Sequence, residues 1–482
     1  MGQVNLSIPR NWGVAWTDTA CVTLHLTFDR GTLVLRGLPP PPSIARLPGL
    51  IWDSRIESHR APALRYREIV TGLRQMATHY VDEVLAPTGS LDTFHVPELR
   101  PYQHAALMSW DSAGRTGLVV LPTGSGKTRL ACAAIAACQV PSLCLVPTRV
   151  LLHQWREEIA RHHSGPVGCL GDGNHRIEPL TVATFEGAYR NMVRLGNRFG
   201  LLVVDEVHHF GWGIRDEALE LCAAPRRLGL TATVPNGEVL ERVIDLIGPV
   251  VCELTIGDLS GEWLAAFDTI VLTLRLTADE QCRYDAAVAR FRAVFDSFRA
   301  FSKTARWSDF VAMASRSEQG KAALAAFRYS RRLTSYPEAK RTAVAALLAR
   351  HRTSRVLIFT SDNETAYTIA RTHLVMPITC DIDRAERDEA LAAFRRSELR
   401  ALVSARVLNE GIDVPDADVG IIVGGVSGER EHVQRVGRLL RPAPDKRAVV
   451  YELVAAGTHE VRKANERRRA LAPAIHDAKC SR

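Results

Sequence analysis

The stretch LPTGSGKT, residues 121–128, follows the apolar run GLVV and precedes the alanine-rich run RLACAAIAA. Its glycines let backbone N–H groups wrap a phosphate, Lys127 can meet the β and γ oxygens, and the Thr128 hydroxyl can hold Mg²⁺. Leu121 replaces the first glycine of the general pattern. A strand before the loop and a helix after it would aim a helix N-terminus at the anion, so the stretch predicts a nucleotide phosphate site. The predicted phosphate loop comprises Pro122, Thr123, Gly124, Ser125, Gly126, Lys127 and Thr128.

A pair of carboxylates follows another apolar run, in LLVVDEVHH at 201–209. Asp205 can hold Mg²⁺ through water, and Glu206 can polarise an attacking water. An acidic pair after an apolar run is by itself usually just a strand end. Together with the phosphate loop upstream, this pair predicts a site that hydrolyses ATP with Mg²⁺.

Two arginines lie near the C-terminal end, in QRVGRLLRP at 434–442. Arg438 and Arg441 are three residues apart, which puts them on one helical face beside Gln434. Phosphoryl transfer spreads negative charge over the γ-phosphoryl oxygens, and guanidinium groups brought across a cleft can stabilise that charge. Taken alone, the segment also fits a purely structural basic helix.

The pattern of apolar runs divides the chain into units. Residues 1–95 contain VTLHLTF, DRG and TLVLRG, which alternate apolar and polar residues across a turn and predict a β-hairpin. Residues 96–265 and 336–475 each alternate short apolar runs with helical stretches, which predicts two α/β units with parallel sheets. The runs are GLVVL, SLCLV, LTVAT, LLVVD and LGLTA in the first unit, and RVLIFT, MPITC, RALVS, VGIIVGG and AVVYELV in the second.

A helical insert is predicted between the two units, over residues 277–335. TADE at 277–280 has the form of a capping box at the start of a long helix. An apolar stripe at helical spacing follows, formed by Tyr284, Val288, Phe291, Phe295 and Phe298. The same helix carries three arginines that fit either a solvated face or a DNA contact, Arg290, Arg292 and Arg299. Near the C-terminus, VRKANERRRALA is interpreted as part of a solvated basic tail that ends with 476–482.

Composition limits the class of protein. A chain of 482 residues, 46% of them hydrophobic, can form two or three packed domains. Lys and Arg number 61 against 53 Asp and Glu, which favours a polyanionic partner, although ordinary surface charge fits almost as well. Ten cysteines without a CxxC pair argue against a zinc site, an iron–sulfur cluster and a disulfide framework. We expect a cytoplasmic protein, because no apolar run is long enough for a membrane span and the start lacks a secretion pattern.

The chain resembles a superfamily 2 helicase through segments that occur in the order of that superfamily's motifs, namely LRPYQHAAL, LPTGSGKT, LVPTRVLLHQW, TVATFEGAY, DEVHH, TAT, LIFT, VSARVLNEGIDVPDA and QRVGRLLRP. A closer resemblance is to the XPB family of the compact archaeal and bacterial kind, carried by GLVVLPTGSGKT, LGNRF, DEVHHF, RLGLTAT, EGIDVPDA and REHVQRVGRLLRP. It covers nearly the whole chain and is weaker before residue 95. It implies an α/β fold with two RecA-like parallel-sheet motor domains and ATP in the cleft, a small N-terminal α+β domain similar to a damage-recognition domain, and a helical thumb at the insert.

The resemblance also implies roles for individual residues. Gln103 would read the adenine, and Gly411 and Asp413 would lie near the nucleotide in the second motor domain. Two threonines would couple the nucleotide to the nucleic acid, Thr231 and Thr233. Contacts to the DNA backbone are implied for Thr148, Arg149, Thr184 and Thr360. A threonine at a strand end is by itself more often structural.

One segment departs from the family pattern. The family carries an Arg-Glu-Asp tripeptide shortly after TAT that is implicated in duplex opening, whereas this chain reads VPNGEVLER at 234–242. The departure predicts a motor that moves on duplex DNA but opens long duplexes poorly, unless Glu238 or Arg242 supplies an equivalent wedge.

The function expected from the sequence is that of an ATP- and Mg²⁺-dependent DNA helicase or double-strand DNA translocase of XPB type, acting in DNA repair as a monomeric motor at the nucleoid. Duplex and forked DNA are its expected substrates, and a nuclease is an expected protein partner because relatives often work with one. The alternatives are the motor of a restriction or defence system, an RNA helicase, and a nucleic-acid scaffold that does not hydrolyse ATP. The scaffold would require a degraded site, and the predicted catalytic residues are all present.

Overall fold

The computed structural model of the chain describes residues 23–37, 44–87, 89–301, 305–405, 417–424 and 447–471. These ranges form a small mixed sheet, two larger sheets that are almost entirely parallel, and a helical segment between the larger sheets in sequence. Within them, no helix is both long enough and apolar enough to cross a membrane.

The N-terminal unit is a five-stranded sheet packed against one helix. Its strands are β1 (Leu24–Asp29), β2 (Thr32–Arg36), β3 (Ile51–Asp53), β4 (Ser58–Pro62) and β5 (Tyr80–Glu83), its helix is α1 (Tyr66–Gln75), and short 3-10 helices span Ile44–Arg46 and Ala63–Arg65. The order is β3-β4-β2-β1-β5, with β1 antiparallel to β2 and parallel to β5. Arg30 and Gly31 have positive φ at the β1–β2 turn, as two-residue hairpin turns require. The predicted hairpin is confirmed.

The first parallel sheet has eight strands, in the order β13-β6-β12-β11-β7-β10-β8-β9. The strands are β6 (Thr116–Val120), β7 (Ser142–Val146), β8 (Val167–Gly171), β9 (Asn174–Arg176), β10 (Leu180–Thr184), β11 (Leu201–Val204), β12 (Arg226–Thr231) and β13 (Val250–Glu253). All neighbours are parallel except β8 and β9. The helices are α2 (Pro101–Ser112), α3 (Lys127–Cys138), α4 (Arg149–Ala160), α5 (Phe185–Leu195), α6 (Glu217–Glu220), α7 (Glu238–Ile247) and α8 (Ile256–Leu259), and 3-10 helices span Val207–His209 and Ile214–Asp216.

The apolar runs predict the central strands of this sheet and miss its edges. β6, β7, β10, β11 and β12 coincide with the predicted runs, because strands covered on both faces by helices are apolar almost throughout. β9 reads NHR and is exposed, β8 contains two glycines, and β13 is short and lies at the other edge. β9 and β13 are the two edge strands, which need no continuous apolar run, and the glycines of β8 interrupt its run, so the sequence pattern does not reveal these three strands.

The predicted helical insert is present as α9 (Ala278–Phe301), α10 (Trp307–Ala314) and α11 (Glu318–Ser335). The predicted capping box is confirmed, since Thr277 N donates to Glu280 Oε2 at 3.0 Å and Glu280 N donates to Thr277 Oγ1 at 3.3 Å. Phenylalanines of the predicted stripe pack around the fully buried Phe310 and form a separate core for the insert. Arg290, Arg292 and Arg299 of α9 are exposed.

The second parallel sheet has the order β14-β19-β18-β15-β17-β16. Its strands are β14 (Ala266–Leu274), β15 (Val356–Phe359), β16 (Met376–Ile378), β17 (Ala401–Ser404), β18 (Val419–Ile422) and β19 (Arg447–Ala455), and its helices are α12 (Glu338–Arg350), α13 (Asn363–His373), α14 (Arg384–Arg395) and α15 (His459–Leu471). The predicted runs coincide with β15 to β19. β14 was not predicted, because it precedes the insert in sequence yet pairs along its whole length with β19.

The smaller units are joined to the two larger sheets by specific contacts. In the N-terminal unit, Ala86 N donates to Asn197 O at 2.9 Å, beside the end of α5. In the insert, the Tyr284 hydroxyl accepts from His459 N at 3.1 Å, at the start of α15. The N-terminal unit therefore packs on the first parallel sheet, and the insert packs on the second.

Two expectations from the sequence are wrong. The pattern of the basic segment VRKANERRRALA predicts a disordered, solvated tail, but α15 extends along this segment as far as Leu471. The helix is anchored at its first turn, where the buried Glu460 is paired with Lys340. Cys252 is disulfide-bonded, whereas the other described cysteines are free thiols. Spacing along the chain does not report the distance between two cysteines in the fold, and that distance decides whether they can bond.

Candidate nucleotide site and nucleic-acid interface

Three neighbouring strands of the first sheet end side by side, and their carboxyl-terminal ends form one edge of the sheet. β6, β12 and β11 lie side by side and run parallel, so their carboxyl ends meet. The phosphate loop follows β6, Thr231 ends β12, and Asp205 directly follows β11. The fold therefore brings together the two sequence features that predict ATP hydrolysis and adds Thr231 between them.

The phosphate loop has the backbone shape that its glycines predict. Gly124 and Gly126 have φ values of 85° and 79°, in the left-handed region that glycine adopts without strain. Ser125 is buried, and its hydroxyl donates to Pro122 O at 2.7 Å across the loop. The loop is thus held in its turn by its own side chain.

Lys127 is the first residue of α3 and Thr128 is the second. Lys127 Nζ donates to Leu121 O at 3.3 Å, which holds the ammonium group across the loop. The hydroxyl oxygen of Thr123 is buried and has no hydrogen-bond partner within the described part of the chain. An unsatisfied hydroxyl in a loop of this shape suits a ligand with hydrogen-bonding oxygens.

Gln103 lies against the phosphate loop. Its side-chain Nε2 donates to Ser125 O at 2.7 Å and to Gly126 O at 3.3 Å, and its Oε1 accepts from Arg100 N at 2.9 Å. A Cβ at position 126 would lie 2.5 Å from Gln103 Nε2, so this contact also requires glycine there. Gln103 links α2 to the loop, and the adenine contact implied by the resemblance stays a prediction.

Asp205 is buried, and each of its carboxylate oxygens accepts one hydrogen bond from a described residue. Oδ1 accepts from Glu206 N at 2.9 Å, and Oδ2 accepts from Trp155 Nε1 at 3.0 Å. Burial, followed by the neighbouring Glu206 charge, raises the pKa of Asp205 to about 7, whereas the Lys127 ammonium lowers it. A divalent cation at this carboxylate would favour the ionised form.

Glu206 combines backbone strain with an unsatisfied carboxylate. Its φ of 48° and ψ of 47° are left-handed, which costs a residue other than glycine on the order of 1 to 3 kcal/mol. Its Oε2 is buried with no hydrogen-bond partner among the described residues, and His208 Nδ1 lies 3.4 Å away, within ion-pair range. Both features are typical of functional sites, where they persist because the surrounding structure enforces them.

His208 connects the carboxylate pair with the end of β12. Its Nδ1 lies 3.2 Å from Thr231 Oγ1, and Thr231 Oγ1 donates to Thr233 O at 3.0 Å. His208 and Thr231 are both buried. A continuous series of contacts therefore runs from Glu206 to Thr233, which is the geometry that the predicted coupling by Thr231 and Thr233 needs.

The residues at this edge fit a nucleoside triphosphate with Mg²⁺. Thr123 Oγ1 and Glu206 Oε2 are buried polar atoms that phosphate oxygens or water could satisfy. Lys127 lies at the N-terminus of α3, where the helix dipole favours an anion. Asp205 keeps unused acceptor capacity on both oxygens, since a carboxylate can accept about four hydrogen bonds.

Two of the threonines predicted at the DNA backbone cap helices on the first sheet. Thr148 Oγ1 accepts from Leu151 N at 3.2 Å at the start of α4, and Thr184 Oγ1 accepts from Gly187 N at 3.0 Å at the start of α5. These threonines follow β7 and end β10, which are neighbouring parallel strands. The N-termini of α4 and α5 therefore lie near each other, at the same edge of the sheet as the nucleotide site.

Thr360 and Arg149 differ in their exposure. Thr360 is buried at the end of β15, and its hydroxyl donates to the carbonyl of Asp362, the capping residue of α13. The Arg149 side chain is 73% exposed, and its Nη1 lies 3.2 Å from Asp172 Oδ1. The three threonines shape helix starts, whereas Arg149 carries a charge that a phosphate could reach.

Three family models match the chain in order. Residues 26–84 match the xeroderma pigmentosum group B helicase damage recognition domain. Residues 97–236 match the type III restriction enzyme res subunit, and residues 339–443 match the helicase conserved C-terminal domain. The first match lies on the N-terminal sheet, and the other two lie on the first and second parallel sheets.

Curated relatives decide the family. The chain is 33% identical over 440 residues to the DNA 3'-5' translocase XPB2 of Sulfurisphaera tokodaii, which covers 88% of this chain and 97% of that relative. The chain belongs to the XPB family. The DNA 3'-5' helicase XPB of Mycobacterium tuberculosis is 31% identical over 392 residues, which is 78% of this chain but only 64% of that longer relative.

Solved helicase structures share the fold of this XPB-family chain. The Pyrococcus furiosus Hef helicase domain superposes with a TM-score of 0.51 and 18% identity, covering 76% of this chain and 98% of that one. S. cerevisiae Dbp5 bound to RNA and ADP BeF3 superposes with a TM-score of 0.50 and 14% identity, covering 85% and 91%. Identities this low support the fold alone, and the predicted pair of RecA-like sheets is confirmed.

Part of the predicted site lies outside the described residues. These positions are Gly411, Asp413, Gln434, Arg438 and Arg441. The nearest described residues that precede these positions in the sequence lie at the ends of β17 and β18, which flank β15 in the second sheet.

Sequence reasoning missed two residues that touch the predicted site. Trp155 donates to Asp205, and His208 contacts Thr231. Trp155 lies in the apolar stripe of an amphipathic helix, where a role in the core is the usual interpretation. One signal was available, because the N–H of a buried tryptophan normally finds a hydrogen-bond partner.

Proposed function

We propose that the chain is an ATP-dependent DNA helicase or double-strand DNA translocase of XPB type that acts in DNA repair. The 3'–5' direction is proposed from the names of its relatives. The observation that carries the proposal is the shared strand edge at which the phosphate loop and the Asp205–Glu206 pair meet. That arrangement suits ATP hydrolysis, and membership of the XPB family makes DNA the substrate that best fits the motor.

Within the nucleotide site we assign roles by position. The loop N–H groups and Lys127 would bind the phosphates, Thr128 and Asp205 would hold Mg²⁺, and Glu206 would orient and deprotonate the attacking water. When bound, Mg²⁺-ATP supplies the phosphoanhydride bond whose hydrolysis drives movement. Glu206 suits the role of base because its Oε2 has no hydrogen bond that would compete for the water.

The second parallel sheet would complete the site. We assign contacts with the nucleotide to the segments that follow β17 and β18, through Gly411, Asp413, Gln434, Arg438 and Arg441. Arg438 and Arg441 would stabilise the charge on the γ-phosphoryl group only when the two sheets approach each other, so hydrolysis would depend on closure. The boundaries 1–95, 96–265, 277–335 and 336–475 are proposed for the four domains, and β14 adds 266–274 to the last.

The DNA backbone would bind across the first turns of α4, α5 and α13. Their N-terminal N–H groups are suitable donors to phosphate, and the capping hydroxyls of Thr148 and Thr184 hold two of these turns in shape. Arg149 would add positive charge at the start of α4. Binding through such contacts weakens steeply with salt, because it releases counterions from the DNA.

Duplex opening by this chain alone is expected to be inefficient. In the segment that replaces the Arg-Glu-Asp tripeptide, Arg242 is held in ion pairs with three carboxylates, those of Asp216, Glu220 and Asp245. An arginine held in this way does not fit the role of a wedge. Glu238 is 88% exposed at the start of α7, but its negative charge would repel a phosphate backbone.

Partners and location are proposed from the substrate. A DNA motor would act at the nucleoid, and we propose a nuclease as its protein partner. We propose that the motor itself is a monomer, because both predicted halves of the ATP site lie on one chain.

The test is a comparison of ATP turnover by the whole chain with no nucleic acid, with single-stranded DNA, with duplex DNA and with RNA. We expect the strongest stimulation by DNA. The Lys127→Ala variant serves as the control, since it should show no turnover under any of the four conditions. Stimulation by RNA alone would replace the DNA motor with an RNA helicase, and wild-type turnover by Lys127→Ala would remove the ATP site.

A further inference from the structure

Trp155 makes a buried hydrogen bond to the carboxylate that we assign to Mg²⁺. The Trp155 side chain is 1% exposed and packs with Leu152 and Ile159 on the inner face of α4. Its Nε1 donates to Asp205 Oδ2 at 3.0 Å. An indole N–H can only donate, and a ring fixed on all sides cannot turn away, so it determines the direction in which Asp205 points.

The same helix carries the exposed positive charge of the proposed DNA interface. Arg149 is the first residue of α4, and Trp155 follows six residues later, about 9 Å along the axis at 1.5 Å per residue. A single regular helix of this length moves as a unit. Any movement at its first turn would therefore also move the donor to Asp205.

The outer face of α4 has a partner that a phosphate could displace. Asp172 binds Arg149 Nη1 at 3.2 Å and His153 Nε2 at 3.1 Å, from the tight turn between β8 and β9. A phosphate of the DNA backbone offers Arg149 a second acceptor of the same charge sign. Binding of DNA would thus exchange the acceptor on one side of α4 while the indole holds Asp205 on the other side.

We propose that Trp155 is a positioning residue that couples the DNA-facing first turn of α4 to the Asp205 carboxylate. The indole holds Asp205 in position for the cation. When Arg149 leaves Asp172 and binds a DNA phosphate, Trp155 transmits the resulting movement of α4 to the nucleotide site. The proposal rests on the function proposed above and adds a regulatory role to that site. Groups that orient metal-binding side chains typically change metal affinity or activity by about 10- to 100-fold when they are removed.

A second buried tryptophan provides a matched control. Trp110 on α2 is also 1% exposed and packs in the same core, and its Nε1 donates to Arg227 O at 2.9 Å. Trp155→Phe and Trp110→Phe each keep an aromatic ring and remove one buried indole hydrogen bond. The two variants should lose similar stability, but only the first removes a donor to Asp205.

The experiment compares the whole-chain variants by three measurements: the unfolding midpoint, the Mg²⁺ concentration needed to bind a fluorescent ADP analogue, and the ratio of ATP turnover with and without duplex DNA. For Trp155→Phe we expect the Mg²⁺ concentration needed for nucleotide binding to rise about tenfold, and we expect duplex DNA to stimulate ATP turnover by a smaller factor than in the wild type. Trp110→Phe should match the wild type in both. Combining Arg149→Ala with Trp155→Phe should lower the stimulation ratio no further than the more affected single variant does.

The outcomes separate the two proposals. If the wild type is stimulated by duplex DNA but Trp155→Phe behaves like Trp110→Phe in Mg²⁺ dependence and stimulation, then Trp155 only fills the core and the coupling proposal is overturned. Additive losses from Arg149→Ala and Trp155→Phe would also overturn it. A wild-type chain that no DNA stimulates would instead overturn the proposed function.

Discussion

Two places in the molecule contain buried charged groups, and they differ in how completely those groups are hydrogen-bonded and paired. Where α12 meets α15, Lys340 has a side-chain exposure of 0% and donates to both carboxylate oxygens of Glu460, at 3.0 and 2.8 Å. It also donates to Thr334 O at 2.8 Å and to Val423 O at 2.6 Å. The ammonium group is therefore fully engaged, and the pair joins the end of the insert, the end of β18 and the start of α15.

At the nucleotide site the buried charges are left partly unsatisfied. Asp205 has one described donor on each oxygen, Glu206 Oε2 has no hydrogen-bond partner in the described ranges, and the Glu206 backbone is left-handed. Folding could avoid this cost with other residues, so it indicates a requirement for function. The comparison leads us to expect that substitutions at the Lys340–Glu460 pair change stability, whereas substitutions at the Asp205–Glu206 pair change activity.

The largest effect is expected for Glu206→Gln. Glutamine keeps the size and polarity of the side chain but cannot accept the proton of the attacking water, so ATP hydrolysis should fall by a factor on the order of 10² or more. ATP binding should persist, and the unfolding midpoint should stay level or rise, because the substitution removes the charge from a carboxylate whose buried Oε2 has no hydrogen-bond partner among the described residues. Single-turnover hydrolysis and nucleotide titration measure the two effects.

Loss of nucleotide binding by Glu206→Gln would show that Glu206 holds the nucleotide instead of acting on the water. A large fall in the unfolding midpoint of Glu206→Gln would show that Glu206 supports stability, as the Lys340–Glu460 pair does, and the two sites would then not differ as we expect.

Among substitutions at the Lys340–Glu460 pair, Lys340→Met should reduce the free energy of unfolding most. It leaves the Glu460 carboxylate buried without its counter-charge, and breaking a buried pair in this way costs about 3 to 5 kcal/mol. The double variant Lys340→Met with Glu460→Gln leaves no buried charge and should recover part of that loss. Chemical denaturation of the two variants would test this, and equal stability of single and double variants would show that the charge is not the cause.

A smaller, pH-dependent effect is expected at His459, in the first turn of α15. Burial, and after it the charges of Arg331, Lys463, Lys340 and Arg462, lower the pKa of His459 to about 3. Its pKa in the folded state is thus below the unfolded value, so stability is fully present above about pH 6.5 and is lost as the pH falls from there toward 3. His459→Gln should reduce the loss between pH 7 and pH 5 by on the order of 1 kcal/mol, after allowance for solvent screening.

Denaturation of wild type and His459→Gln at pH 7 and pH 5 measures this difference. Parallel losses in the two proteins would show that His459 takes up a proton as readily in the folded state as in the unfolded state.

The sequence predicts the parts of the fold in which local pattern and final environment agree. Apolar runs identify the central strands of both large sheets, TADE identifies the start of α9, and LPTGSGKT identifies the loop with positive φ at its glycines. It does not predict β14, because the pairing of that strand with β19 is set by a contact between segments far apart in the chain. The helix at VRKANERRRALA was missed for the same reason, since a buried Lys340–Glu460 pair anchors it.

The candidate site was predictable in its residues but not in its connections. The motifs identify Lys127, Asp205 and Glu206, and strand order alone decides that they meet at one edge. The donor from Trp155 and the contact of His208 with Thr231 join residues on different elements. No spacing rule along a single chain describes such contacts.

The central claim is that ATP hydrolysis at this site drives movement along duplex DNA, and that movement and strand separation are separable in this chain. One assay tests it: ATP-dependent displacement of a third strand from a triplex, run beside unwinding of a long blunt duplex of the same sequence. Separating strands costs roughly 1 to 2 kcal/mol per base pair step, and the chain lacks the Arg-Glu-Asp tripeptide implicated in duplex opening. We predict displacement of the third strand that requires ATP and disappears in Glu206→Gln, with little unwinding of the blunt duplex. Efficient unwinding of the blunt duplex, or no triplex displacement at all, would contradict the account.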